Sequence, residues 1–254
     1  MSKSDSKGGS DFDGLVPVIV GPTGSGKTGA AIEVALACDG EIISADSRAI
    51  YKGMDIGTAK PSTEEMRGVP HWGIDLVEPG ERFTVADFKD YAEQKICSIQ
   101  ERGKIPIVAG GTGLYVDALV YNYHFGEEVK KSYADRQEMD SRFKVFGIKW
   151  EADELKSRLR QRLNKMFVQE LYDETEGLVK KYGWGSQAMK SDIYEYAWKY
   201  MQGELALDEA KEQCFYRDWH LAKRQMTWFK RNEQIIWLSL DEICPTVLKC
   251  IQNG

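Results

Sequence analysis

Gly21-Pro22-Thr23-Gly24-Ser25-Gly26-Lys27-Thr28 has glycine at its first and sixth positions and closes on Lys-Thr, the pattern of a phosphate-cradling loop. Glycines let the backbone curl so that successive N–H groups point at phosphate oxygens, and a following helix adds the positive end of its dipole. Lys27 supplies a mobile charge, and the Thr28 hydroxyl can hold Mg²⁺. A phosphate site follows from this spacing, but the reaction does not.

Two further segments offer chemistry. Asp46 ends the run Glu41-Ile42-Ile43-Ser44-Ala45-Asp46. A carboxylate there could hold Mg²⁺ through water, accept a proton from an attacking nucleophile, or simply stabilise a turn. Gly110-Gly111-Thr112-Gly113 follows the apolar run Ile105–Ala109. Its glycines permit close approach of a ligand or of the first loop, and the Thr112 hydroxyl could bond a substrate.

The elements that must position these residues are legible. Residues 15–20 form a short apolar run ending at the loop, the pattern of a buried parallel strand. Residues 29–38 are strong helix formers, 41–46 and 105–109 read as strands, and 84–101 show helical spacing. Strands alternating with helices imply right-handed crossovers, hence an α/β fold with a P-loop NTPase-like parallel sheet covered by helices on both faces. After about residue 122 the character becomes helical and charged. Leu155, Leu159, Leu163, Met166 and Leu171 fall on one stripe. Residues 143–148 look strand-like, 191–202 and 207–231 helical, and 234–240 like a late strand. The expected organisation is a disordered tail over 1–13, a core sheet over 14–122 plus 234–240, and a helical part over about 123–232.

Bulk properties narrow the class. A chain of 254 residues, 42% hydrophobic and 29% charged, is that of an ordinary globular protein large enough for a substantial core. No apolar stretch approaches the length of a membrane span, and the polar N-terminus has no apolar signal region. Five scattered cysteines, never spaced C-x-x-C, fit a reducing, cytoplasmic setting. The net charge is −6, yet residues 141–165 hold eight Lys/Arg against three acids, and residues 211–231 hold six against two. A polyanion can bind these segments despite the overall sign, although solvated helix faces would look the same. His71, His124 and His220 have no partners at metal-ligand spacing. Trp184, Trp198, Trp219, Trp228 and Trp237 read as core or interface anchors.

Together, GPTGSGKT (21–28), EIISADSRAIYKGMDIGTAKP (41–61), HWGIDLVEPGERFTVADF (71–88), PIVAGGTGLY (106–115) and LAKRQMTWF (221–229) resemble the tRNA dimethylallyltransferases, also called tRNA isopentenyltransferases. The resemblance implies a transferase that binds dimethylallyl diphosphate on residues 21–28 with Mg²⁺ on Thr28. The exocyclic amine of an adenine next to the anticodon would attack the allylic carbon. Asp46 matches the family's general base, Thr23 the threonine near the reacting carbon, and Thr112 the threonine beside the substrate. Ser47, Arg48 and Ala49 match the segment that contacts the target nucleotides. The implied partners are dimethylallyl diphosphate and the anticodon stem-loop of tRNA, with the enzyme acting as a monomer and no membrane involved.

Two departures matter. Where the family has Thr-Arg-Gln before AKRQ, this chain has Asp218-Trp219-His220, so Trp219 stands at the arginine position. Arg224 is the first candidate to replace that arginine and Arg217 the second, being about 200° from Trp219 on a helix. Arg158, Arg160 and Arg162 point in several directions on their helix, so not all three can meet one RNA strand. The helical insertion that follows GGTGLY in the family is also largely missing. That leaves a free adenine nucleotide (AMP, ADP or ATP) as an alternative acceptor, and a P-loop small-molecule kinase as a more distant alternative.

Overall fold

The computed structural model describes residues 14–125, 138–186, 188–189 and 192–253. The expected tail over 1–13 lies outside the described residues. The elements in chain order are β1 (Val16–Val20), α1 (Lys27–Cys38), β2 (Gly40–Ser44), α2 (Thr63–Met66), β3 (His71–Trp72), α3 (Val85–Glu101), β4 (Ile105–Gly110) and α4 (Gly113–Val120). There follow β5 (Phe143–Ile148), α5 (Ala152–Met166), α6 (Gln169–Tyr182), α7 (Asp192–Met201), α8 (Leu207–Phe229), β6 (Ile236–Leu238) and α9 (Leu240–Asn253).

The strands form one parallel sheet in the order β3-β2-β4-β1-β5-β6. Every residue of β1 is buried, as a central parallel strand requires. Alternate side chains go to opposite faces. Val16, Val18 and Val20 pack with Phe88, Ile96 and Leu119 of α3 and α4. Ile19 packs with Ala31, Val34 and Val247 of α1 and α9. A third cluster joins α5–α8 around Leu159, Leu163, Leu171 and Tyr194, and takes in Ile50 and Met54 from the loop after β2.

Three expectations need adjusting. The sheet is not confined to 14–122 plus 234–240, because β5, from within the stretch assigned to the helical part, lies between β1 and β6. Its register pairs Val16 with Phe143 and Val20 with Gly147. The leucine stripe is shared by two helices: α5 ends at Met166, Phe167 leaves helical geometry, and Leu171 belongs to α6. A short strand at His71–Trp72 extends the sheet beyond β2. There His71 is structural: Nδ1 bonds the Val69 carbonyl at 2.8 Å, Nε2 is buried without a partner, and burial lowers its pKa.

Parallel strands leave their C-terminal ends on one edge, and ligands of such sheets bind there. The loop after β1, Asp46 after β2 and Gly111–Thr112 after β4 all emerge on that edge. Helices α5 and α8 roof it.

Candidate active site

The loop over 21–28 turns its carbonyls outward. Lys27 Nζ donates to the Pro22 carbonyl (3.0 Å), Arg158 Nε to that of Gly24 (2.9 Å), and Trp150 Nε1 to that of Ser25 (3.0 Å). At the start of α1 the N-cap is Gly26, at φ 90° and with no side-chain cap. The first-turn N–H groups of α1 therefore have no intrahelical partner and no capping side chain. This is the arrangement that receives an anion.

Two cavities of about 450 and 510 Å³ meet at the loop. The first is lined by Gly24, Gly26, Lys27 and Thr28, with Arg158, Arg162 and Lys165 of α5 opposite. Four cations against the single carboxylate of Asp46 suit a diphosphate. Desolvation holds the Lys27 pKa down at about 8, with Asp46 opposing the shift and the Arg162 charge adding to it. The second cavity holds Ser47, Arg48, Thr112, Arg217 and Arg224, with Ile193, Leu221 and Trp228 as its apolar side. Thr23, Lys27, Asp46, Thr58, Arg162 and Met166 line both. The junction is where two substrates would meet.

Asp46 fills one of its expected roles, that of a turn residue. Its Oδ1 accepts from the Arg48 N–H (2.8 Å) and the Ala49 N–H (3.4 Å), which fixes the turn. Its Oδ2 has no hydrogen bond among the described residues and belongs to a side chain lining both cavities. Thr112 is oriented toward Ser47: its Oγ1 accepts from the Ser47 N–H (3.0 Å) and donates to Ser47 Oγ (3.2 Å). The Ser47 proton is thereby left for a ligand. Ala49, expected at the target nucleotides, lines neither cavity. It is buried under the turn with its N–H committed to Asp46. Gly21, Pro22 and Ser25 likewise sit behind the loop and out of contact with both cavities, and Ser25 Oγ is buried without a partner.

The arginines fall into place by helical phase. Arg217, Leu221, Arg224 and Trp228 lie on one face of α8 and line the second cavity, as spacings of four and seven require. Trp219 is off that face, against the α5–α8 core, with Lys156 and Lys223 over its ring. On α5, Arg158 and Arg162, four apart, face the first cavity, whereas Arg160 turns to Glu212 and the Phe215 ring. The candidates Arg224 and Arg217 thus face the second cavity. The arginine beside Thr23 is Arg162, whose Nη1 donates to Thr23 Oγ1 at 2.8 Å.

Sequence reasoning missed Arg162 in that role, although the leucine stripe already fixed its direction. Gln225 was also missed. It accepts from the Thr23 N–H (2.7 Å) and donates to the Gly111 carbonyl (3.0 Å), tying the first loop to the third. A Cβ on Gly111 would come within 2.6 Å of Gln225 Nε2, so the close approach permitted by Gly111 is to α8, whereas Gly110 lies against Ala45.

Fold and site together define an α/β protein whose phosphate-type loop opens on two joined cavities, the first of them cationic. The family model described as IPP transferase matches residues 49–142 and 124–232, and the one described as isopentenyl transferase matches 15–76. The tRNA dimethylallyltransferase of Acetivibrio thermocellus is 37% identical over 288 residues, covering 89% of this chain and 92% of that protein. The crystal structure of a tRNA isopentenylpyrophosphate transferase from Staphylococcus epidermidis superposes with a TM-score of 0.83 at 32% identity, covering 95% of this chain and all of that one. Another, from Bacillus halodurans, gives 0.83 at 29%, covering 94% and 97%. The chain belongs to the tRNA dimethylallyltransferase (IPP transferase) family. The two segments of the IPP transferase match overlap at 124–142.

Proposed function

We propose that this protein transfers a dimethylallyl group from dimethylallyl diphosphate to the exocyclic amine of an adenine next to the anticodon of tRNA. The observation that carries this reading is the pair of chambers meeting at Thr23, Lys27 and Asp46. The diphosphate lies on the Gly24 and Gly26–Thr28 amides and is neutralised by Lys27, Arg158 and Arg162. The amine nitrogen enters from the second chamber and forms a bond to the allylic carbon. The carbon–oxygen bond breaks, and the diphosphate leaves with the electron pair. Asp46 takes the amine proton through Oδ2, since Oδ1 is committed to the turn. Ser47, Arg48 and Thr112 line the acceptor side, with Arg217 and Arg224 above them for the RNA backbone.

Mg²⁺ fits the oxygen donors present. Thr28 offers an exposed hydroxyl beside the chamber, and Asp46 and Ser44 line the same space. Among the described residues no group of three His, Cys, Asp or Glu could hold a metal, which suits an ion bound largely by substrate phosphates and water. When bound there, it supplies charge neutralisation to the leaving group. The enzyme is proposed to act as a cytoplasmic monomer. Among the described residues no helix is long and apolar enough to cross a membrane.

Offering undermodified tRNA and free AMP, ADP and ATP together, with Mg²⁺ and labelled dimethylallyl diphosphate, tests the acceptor. Label should appear in prenyladenosine from digested tRNA. Label confined to free nucleotides would replace the tRNA reading with the nucleotide one. The relatives' names favour tRNA.

A further inference from the structure

We propose that Asp218 is a positioning residue for the transfer step. It aims the Arg162 guanidinium at the accepting side of the Thr23 hydroxyl, so that the Thr23 proton is left for the departing diphosphate oxygen. The inference rests on the transferase reading above and adds to it a residue at which the chain departs from its family's Thr-Arg-Gln pattern.

Three elements meet at this point. Arg162 Nη1, from α5, lies 2.8 Å from Thr23 Oγ1 and 3.1 Å from Asp218 Oδ2 of α8. Arg162 and Asp218 side chains are only 24% and 26% exposed, so the pair is screened less than a surface ion pair. A guanidinium has donors and no acceptor. Thr23 Oγ1 must therefore accept from Arg162, and its own proton points elsewhere. The Thr23 backbone is meanwhile fixed by Gln225, seven residues along the same face of α8. Helix α8 thus grips Thr23 twice, once through Gln225 and once through Asp218 and Arg162.

Asp218 is needed because of Lys27. Arg162 is close enough to Lys27 to help lower its pKa, so the two cations repel in the empty chamber. An anion on the far side of Arg162 offsets that repulsion before substrate arrives. Trp219, at the family's arginine position, faces the core and brings no charge to the site.

A double-mutant cycle on Asp218→Asn and Arg162→Ala tests this, reading kcat, the KM for dimethylallyl diphosphate, and Tm. Asp218→Asn should lower kcat about tenfold with KM unchanged or lower, because Arg162, which lines the diphosphate chamber, has lost the carboxylate that offsets its charge. Asp218→Glu, which still reaches a guanidinium, should retain more of kcat. In the Arg162→Ala background, Asp218→Asn should change kcat by less than about twofold, since residues acting as a unit are not additive. Equal, multiplying effects in both backgrounds, or an unchanged kcat in Asp218→Asn, would overturn the proposal while leaving the reaction itself standing. A wild-type protein that transfers no prenyl group would instead remove the transferase reading, and this inference with it.

Discussion

Lys27 directs its ammonium at a carbonyl of its own loop and shares its chamber with two guanidinium groups. Burial lowers its pKa from 10.5 to about 8. The folded protein therefore binds fewer protons than the unfolded chain between those values, and this group makes stability rise with pH across that window. Below about 8 the side chain is a buried cation, a cost that a bound diphosphate relieves. Affinity for a diphosphate analogue should accordingly hold to about pH 8 and then fall by up to tenfold per unit. Titration calorimetry across this range checks it, and Lys27→Arg should remove the decline. Asp46→Asn should lower kcat by at least about 100-fold, the usual contribution of a general base, with Kd for the analogue little changed. A comparable loss of analogue binding would point to a diphosphate-side role for Asp46. At this scale the sequence was a good guide to where Lys27, Thr28 and Asp46 lie, because backbone geometry follows from their local pattern. Arg162 and Gln225 act across 139 and 202 positions of chain, and no local pattern shows which donor a distant helix will deliver.

At the scale of elements, the wall of the site depends on a clamp between α6 and the loop after β2. Glu174 of α6 accepts from the backbone N–H groups of Asp55 (3.0 Å), Ile56 (2.8 Å) and Gly57 (3.0 Å), and from the Tyr194 hydroxyl (2.7 Å). Gly57 lies so close to Tyr194 that a Cβ would stand 2.3 Å from its ring. Lys60 closes the other end of the loop, bonding Asp55 and Asp75. Gly57 and Thr58 thereby become fixed cavity walls. Glu174→Ala strands several donors and should cost about 3 kcal/mol in denaturant unfolding. Glu174→Gln should recover part of this, since its amide oxygen still accepts while its NH₂ meets donors. Both should raise KM for dimethylallyl diphosphate; unchanged KM and stability would show that the loop holds itself. The strand-and-loop alternation made β1, β2 and β4 legible. Helix α9 was not anticipated, although Ser239-x-x-Glu242 is a capping sequence, with Ser239 Oγ donating to Glu242 and Ile243 and Val247 buried behind it. Its proline, Pro245, lies inside the helix and masked the signal.

For the molecule as a whole, the sheet edge presents the 21–28 loop and Asp46, while α5 and α8 bring the cations that close over them. The two parts share the Thr23–Arg162–Asp218 and Thr23–Gln225–Gly111 contacts, so substrate in the first chamber bears directly on the helices that roof the second. The predominance of helices after about residue 122 was readable from the change in character of the chain. The place of β5 in the sheet interior was not, because spatial strand order depends on tertiary pairing. The most direct measurement is a crystal structure with a non-cleavable thiolodiphosphate analogue of dimethylallyl diphosphate. The account expects its phosphates on the Gly24 and Gly26–Thr28 amides, its allylic carbon at the chamber junction and Asp46 Oδ2 facing that carbon. Phosphates bound anywhere else, or Asp46 turned away from the junction, would contradict it.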